Sequence, residues 1–167
     1  MKKIYYLLIL IGLTLNQSCG IYSFTGGNVG EAKTIHIPYF PNNASLVEPS
    51  LSQKFTLALQ DKFLQQTNLS LVNSTADLTF EGEITQYRTT PIAATATQTA
   101  QRSRLTISVK VRFYNVLEEE NNFDKSFTHF FDYPGSAILL GSELDTAFEV
   151  IFERITQDIF NAAVAQW

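Results

Sequence analysis

Residues 105–113 read Leu-Thr-Ile-Ser-Val-Lys-Val-Arg-Phe, and this segment sets the fold class. Apolar side chains take every second position, and the positions between them hold Thr106, Ser108, Lys110 and Arg112. Successive side chains of a β-strand point to opposite faces of a sheet, so strict alternation predicts one buried face and one face in water. The buried face then needs a second layer of structure to cover it.

Further strands are predicted on both sides of this segment. Alternation, or β-branched and aromatic residues between turn signals, marks each of them. Pro38 and Pro41 end the first strand or confine it to an edge, because proline cannot donate a ladder hydrogen bond. The predicted strands are residues 34–39, 69–72, 78–88 and 123–133.

Two helices are predicted from apolar residues at helical spacing. The first runs from Leu51 to about Gln66, and the second starts at Ser142 and reaches about Ala165. Ser50 with Gln53, and Ser142 with Asp145, have the spacing of capping boxes.

These elements predict a single α+β domain over residues 34–167. Two amphipathic helices and one apolar sheet face are combined most simply in a two-layer sandwich. Both helices then pack on one face of a mainly antiparallel sheet of about four strands. Residues 89–101 carry no charge and form either a hairpin loop or an extension of the strands.

The N-terminal residues have the arrangement of a secretory signal. Lys2 and Lys3 precede an apolar run over residues 4–15, which is shorter than the roughly 20 residues of a membrane-spanning helix. We predict that residues 1–18 are a cleaved signal peptide and that residues 19–33 are a lipidated tether.

Cys19 is the only cysteine in the chain, so no disulfide can form within it. Its place just after the apolar run predicts lipidation of its thiol, although Asn16 stands where a lipobox usually has leucine. Acyl chains would hold the protein on a membrane without a helix. No aspartate directly follows Cys19, so the common signal for retention in the inner membrane is absent. The expected location is therefore the periplasmic side of the outer membrane. A secreted protein with a free thiol is the alternative.

Charge and chemistry exclude several classes of function. The chain has 16 Asp and Glu residues against 12 Lys and Arg residues, and an acidic domain without a basic run is a poor nucleic-acid binder. His36 and His129 lack ligand-spaced neighbours and are best explained as ordinary strand residues. Glu81 and Glu83 share a strand face, where exposure opposite basic residues explains them better than glycoside hydrolysis. We expect no catalysis, no metal and no cofactor.

Basic residues are concentrated around the uncharged segment 89–101. Arg102 and Arg104 adjoin it, and arginine pairs bidentately with phosphate, so this patch suits a phosphorylated lipid. Strand periodicity alone also places charges here, and pairing with carboxylates on neighbouring strands is the alternative.

Six segments, in their order and spacing, carry a family resemblance. They are Cys-Gly-Ile-Tyr-Ser-Phe at 19–24, Thr-Ile-His-Ile-Pro-Tyr-Phe at 34–40, Leu-Ser-Gln-Lys-Phe at 51–55, Asp-Leu-Thr-Phe-Glu-Gly-Glu-Ile at 77–84, Arg-Leu-Thr-Ile-Ser-Val-Lys-Val at 104–111 and Gln-Asp-Ile-Phe-Asn at 157–161. Together they resemble the LptE family of lipopolysaccharide-assembly lipoproteins.

The resemblance implies two helices on a four-stranded sheet. It implies that the lipoprotein sits as a plug inside the outer-membrane β-barrel LptD and helps to deliver lipopolysaccharide to the outer leaflet. The family's proposed lipid contacts are basic, and no motif fixes their positions in this chain. We therefore nominate as lipopolysaccharide contacts Arg102, Arg104, Lys110 and Arg112.

Two other functions remain open on the sequence. The first is a periplasmic lipid-binding or shuttling lipoprotein without a barrel partner, which would need an apolar pocket between helices and sheet. The second is a hydrolase that uses Glu81 and Glu83.

Overall fold

Two helices cover one face of an open five-stranded sheet. The computed structural model describes residues 29–92 and 101–164, so the predicted signal peptide and Cys19 lie outside the described residues. The strands are β1 (Thr34–His36), β2 (Ser70–Leu71), β3 (Leu78–Ile92), β4 (Arg102–Asn115) and β5 (Phe123–Pro134), and the helices are α1 (Leu51–Gln66) and α2 (Gly141–Val164).

The sheet has the strand order β2-β1-β3-β4-β5. β1 runs parallel to both β2 and β3, whereas β3, β4 and β5 form an antiparallel meander. The predicted α+β sandwich is confirmed, and its strand count is corrected from about four to five. The short strand predicted at residues 69–72 is present as β2, which pairs with β1 over two residues after the α1 crossover.

The alternation predicted for β4 is confirmed. Its inward side chains are at most 1% exposed and form the floor of the core: Leu105, Ile107, Val109, Val111 and Phe113. Phenylalanine rings join this floor to α1, because the Phe80 ring centroid lies 4.8 Å from that of Phe113 and 4.9 Å from that of Phe63. The space between the sheet and the helices is therefore filled with side chains.

β3 contains a bulge that the sequence analysis did not predict. The register with β4 shifts between Ile84 and Gln86, which leaves Thr85 as the extra residue. Alternation reverses after this point, so Tyr87 turns to the helix side and contacts the Phe148 ring at 6.2 Å between centroids. Burial raises the pKa of the Tyr87 hydroxyl, and Glu48 and Tyr133 add to the effect.

The beginning of the uncharged segment, residues 89–92, is a strand extension. β3 continues to Ile92, and β4 begins at Arg102. Residues 93–100 lie outside the part of the chain that the structure describes.

The predicted bounds of α1 are confirmed, but its predicted capping box is wrong. Ser50 makes no side-chain cap hydrogen bond, because its hydroxyl donates to Glu48 Oε1 at 2.8 Å. The second helix begins at Gly141, one residue before the predicted cap. Ser142 is therefore a helical residue, and its carbonyl accepts a hydrogen bond from the Thr146 hydroxyl.

Ion pairs join the two helices on the side away from the sheet. Lys54 contacts Asp145, and Lys62 Nζ lies 2.7 Å from Glu153 Oε1. Lys62 is only 8% exposed and also donates to Gln157 Oε1 at 3.2 Å. The ammonium of Lys62 is thus buried with two acceptors, as a buried charge requires.

The Asp77 carboxylate holds the segment that leads into β1. Its Oδ2 atom accepts hydrogen bonds from Lys33 N, Thr34 N and the Thr34 hydroxyl, at 2.8–3.0 Å. The main-chain N–H of Asp77 in turn donates to Thr34 Oγ1. These bonds, led by that from Lys33 N, lower the pKa of Asp77 because they favour the charged carboxylate. Residues before β1 also pack against the core, since Ala32 is buried.

Gly82 allows the Phe40 ring to approach β3. A Cβ atom at position 82 would lie 2.1 Å from the Lys110 carbonyl oxygen and 2.5 Å from Cε1 of Phe40. Phe40 is fully buried, so its ring has no free space into which it can move.

We expect Gly82→Ala to destabilise the domain by about 1–3 kcal/mol, the usual cost of overpacking. The free energy of unfolding in urea would measure this. Thr106→Ala changes a half-exposed position on the opposite face of the sheet and should alter stability by less than about 0.5 kcal/mol. Equal stability of the two variants would contradict the role given to Gly82.

We expect Asp77→Asn to lower stability at pH 7 and to matter less in acid. Because the folded pKa of Asp77 is depressed, its contribution is complete above the unfolded pKa of about 3.9 and disappears as the pH falls through the folded value. Urea unfolding of both proteins between pH 7 and pH 2 tests this. A stability difference that stays constant over that range would show that the carboxylate charge is not involved.

Candidate functional site

The sheet face away from the helices is polar, and we call it the polar sheet face. Its charged side chains come from β3, β4 and β5, and cations and carboxylates face one another across the strands. The cations are Arg88, Arg102, Arg104, Lys110 and Arg112, and the carboxylates are Glu81, Glu83, Asp124 and Asp132. All four basic residues nominated from the sequence lie on this one face of β4.

Arg104 forms the strongest of these pairs. Its Nε and NH2 atoms donate to the two carboxylate oxygens of Asp132 at 2.6 and 2.8 Å, in a bidentate arrangement. The guanidinium lies 3.6 Å from the centroid of the Phe130 ring. The hydrogen bonds to Arg104 lower the pKa of Asp132, and those to Asp132 raise the pKa of Arg104. The fork that would bind a phosphate is therefore occupied by a carboxylate.

Lys110 and Arg112 also have carboxylate partners. Lys110 Nζ lies 3.2 Å from Asp124 Oδ2 on β5, and Arg112 NH2 lies 3.3 Å from Glu81 Oε2 on β3. These side chains are about half exposed, so each pair contributes little to stability. Glu83 contacts the amide of Asn43 instead of a cation. The two glutamates are thus held by separate partners, Arg112 and Asn43.

Arg102 differs from the other three nominated residues. Among the described residues, no carboxylate lies within ion-pair distance of its guanidinium. It begins β4, opposite Ile92 on β3 and Pro134 on β5. Arg102 is therefore the nominated residue whose charge is most available to an anion.

Arg88 joins Arg102 and Arg104 at the same end of the polar sheet face, and sequence reasoning missed it. Arg88 pairs in register with Thr106, and Thr90 pairs with Arg104. Without the bulge at Thr85, the alternation of β3 would have placed Arg88 on the core face. The sequence does contain a signal for it. If the alternation of β3 continued unchanged, Tyr87 would face water and Gln86 and Arg88 would face the core, which is the reverse of what their polarity favours.

The histidines have structural partners. His36 Nδ1 lies 2.8 Å from the Val72 carbonyl oxygen, and His129 Nε2 lies 2.6 Å from Asp158 Oδ2 on α2. The described residues contain no group of three or more His, Cys, Asp or Glu side chains that could hold a metal ion.

A groove on the outer surface offers the volume that the filled core lacks. It measures about 800 Å³ and lies between α1 and α2, with Leu57 and Phe152 among its lining residues. Charged residues such as Lys54, Asp61 and Glu149 also line it. Among the described residues, side chains such as Phe63, Phe80 and Phe113 fill the layer between helices and sheet, which gives no support to an interior lipid pocket. In the described part of the chain, neither helix has the length and apolar content needed to cross a membrane.

Several solved structures are similar to this chain at low sequence identity. The hypothetical protein CT253 from Chlamydia trachomatis is 11% identical, with a TM-score of 0.50, and the match covers 80% of this chain and 99% of that one. A minor lipoprotein from Acinetobacter baumannii is 11% identical, with a TM-score of 0.44 over 80% and 91%. The PelC dodecamer from Paraburkholderia phytofirmans is 7% identical, with a TM-score of 0.47 over 81% and 91%. These likenesses concern the fold alone.

Comparison with curated proteins finds no significant match. Comparison with protein families does: residues 32–163 match the family described as LptE, lipopolysaccharide-assembly. The matched range contains every described strand and both helices except the last residue of α2. This chain therefore belongs to the LptE family of lipopolysaccharide-assembly proteins.

Proposed function

We propose that this protein is an outer-membrane lipoprotein that plugs an LptD-type β-barrel and assists the delivery of lipopolysaccharide to the outer leaflet. Acyl chains on Cys19, after removal of residues 1–18, would anchor it on the periplasmic side. The observation that carries the proposal is the family match over residues 32–163.

The polar sheet face suits a partner with a polar interior. The lumen of a large outer-membrane barrel is polar, so a plug needs a surface rich in hydrogen-bonding groups and free of strong net charge. Five cations and four carboxylates meet these needs, because most of them are paired across strands. Hydroxyls between the charges add donors and acceptors, such as Ser108, which bonds to Thr128 and Gln86.

The end of this face around Arg102 is where we propose that lipopolysaccharide binds. Lipopolysaccharide carries phosphate, and arginine is the side chain best suited to bind it. Among the described residues, neither Arg102 nor Arg88 has a carboxylate within ion-pair distance, although Arg102 is close enough to help lower the pKa of Asp132. Arg104 lies between them in the register. Lys110 and Arg112, farther along β4, stay in the proposal as contacts of lower availability because each already has a partner.

Affinity purification from native membranes in mild detergent tests the barrel partner. We expect a large β-barrel protein to be recovered with the lipoprotein in a fixed ratio. Photo-crosslinkers at Thr90 and Arg112 on the polar sheet face should capture that barrel, whereas one at Asp61 on α1 serves as the comparison site. Recovery of the lipoprotein alone would contradict the barrel partnership.

We expect Cys19→Ala to leave the domain folded but to release it from the outer membrane. The anchor lies outside the packed core, which begins near Ala32, so only the acyl chains are lost. Cell fractionation in cells depleted of the barrel measures the release, since a barrel would retain the protein independently. Ser23→Ala is the control and should stay in the membrane fraction. An outer-membrane location of Cys19→Ala in these cells would refute lipid anchoring.

We expect Arg102→Glu with Arg88→Glu to weaken lipopolysaccharide binding by about tenfold or more, which corresponds to roughly 1.4 kcal/mol. Both charges are reversed without breaking the Arg104–Asp132 pair. Titration of the purified protein with lipopolysaccharide gives the dissociation constants. Lys33→Glu reverses an exposed charge outside the polar sheet face and should change binding little. Equal affinities of the double variant and the unmodified protein would exclude this binding site.

A further inference from the structure

β5 has one long free edge. It is the last strand of the sheet and pairs only with β4 in the part of the chain that the structure describes. The Gly135 N–H donates to the Gln101 carbonyl at 2.8 Å, which makes positions 101 and 135 a hydrogen-bonded pair of the antiparallel ladder.

The register then shows which groups of β5 face outward. Hydrogen-bonded and non-hydrogen-bonded pairs alternate, so the odd-numbered residues of β5 bond to β4 and the even-numbered residues direct N–H and C=O away from the sheet. Pro134, which has no N–H, fits this assignment because it occupies a non-hydrogen-bonded position. The outward residues are Asp124, Ser126, Thr128, Phe130 and Asp132.

This edge lacks most of the features that normally block strand addition. Proteins protect edge strands with prolines, bulges, lysines or very short length. β5 spans 12 residues, has no register shift against β4, and has proline only at its end. Lys125 is its one lysine. A row of phenylalanines on its helix side is only partly buried, although it packs against the core: Phe123, Phe127 and Phe131.

The described chain begins at the end of the sheet where β3 starts, β4 ends and the turn before β5 lies. Val29 packs against the core and lines a depression of about 130 Å³ together with Asn121 and Val164. Asn121 is two residues before the start of β5. The described part of the chain therefore begins, at Val29, at the end of the sheet where the free edge begins.

We propose that residues 21–25, which lie outside the described residues, pair antiparallel with the free edge of β5 as a sixth strand. Followed backwards from Val29, the chain would run along β5 in the direction of β5, so its own direction opposes that strand. Gly26, Gly27 and Asn28 supply the connection, which can span at most about 10 Å at 3.3 Å per residue.

The residues of this segment match the two faces of β5. Ile21, Tyr22, Ser23, Phe24 and Thr25 are all strand-compatible, and none is charged. In a strand, Tyr22 and Phe24 share one face, and the other three share the opposite face. The aromatic face would cover the half-buried phenylalanines of β5, and the remaining face would continue the polar sheet face.

Strand pairing would also fix the position of the lipid anchor. Cys19 would lie about 20 Å farther along β5 than Thr25, toward Pro134. Ile138 and Leu140 follow β5 at this end and are 74% and 72% exposed. Only this placement of the acyl chains rests on the proposed function, since the strand itself requires neither lipid nor barrel.

Amide hydrogen exchange of the full acylated protein in detergent, resolved by residue, tests the proposal. The variant is Tyr22→Pro with Ser23→Pro, because one of two successive N–H groups must face β5 in any register. We expect the amides of the five outward residues to exchange at least tenfold faster in the variant, and those of Lys125, Phe127 and His129 to stay protected. Tyr22→Thr with Ser23→Thr keeps both donors and should retain the protection.

Two results would overturn the proposal. Fast exchange of the outward amides in the unmodified protein would show a free edge. Slow exchange in both the unmodified protein and the proline variant would show that a different strand covers it. Recovery of the barrel with the proline variant is scored separately, so failure of the strand and failure of the proposed function remain distinguishable.

Discussion

The structure depends on the single apolar face of β4. Five inward side chains in one strand form a continuous floor, and β3 and β5 must pair on either side of it to extend that floor. A sheet with one apolar face needs one covering layer, which fixes both helices on the same side. The opposite face is then left for water or a partner, and every charged residue considered as a ligand contact lies there.

The parts that follow from periodicity could be predicted from sequence. The bounds of α1 and the course of β4 and β5 agree with the prediction because long, regular patterns of burial determine them. The capping of α1 could not be predicted, because the Ser50 hydroxyl hydrogen-bonds to the Glu48 carboxylate instead of to the main chain of the helix. The short strand at residues 69–72 was predicted and is present as β2, but its parallel pairing with β1 could not be predicted, because it depends on how α1 crosses over the sheet.

The candidate site was harder to predict for an electrostatic reason. Sequence spacing placed Arg102, Arg104, Lys110 and Arg112 on one face, which the structure shows, but it could not reveal their partners. Partners depend on the register between strands, and a one-residue change in register moves a side chain to the other face. The same dependence hid Arg88, whose side of the sheet is decided by one inserted residue. Whether a charged side chain on a sheet surface is free to bind a ligand thus depends more on its ion-pair partner than on the composition of the strand.

The bulge at Thr85 also affects how charge is distributed along the polar sheet face. Before it, β3 presents Glu81 and Glu83 to the polar sheet face, and after it the same strand presents Arg88. Near the beginning of β3 the carboxylates of Glu81, Glu83 and Asp124 outnumber the cations of Lys110 and Arg112. Near its end the guanidinium groups of Arg88, Arg102 and Arg104 outnumber the carboxylate of Asp132. An anion travelling over this surface would experience an attraction that grows along the strand axis. By moving Arg88 to this face, one extra residue increases the difference in charge between the two ends of the surface, so the Arg102 end attracts negative charge more strongly.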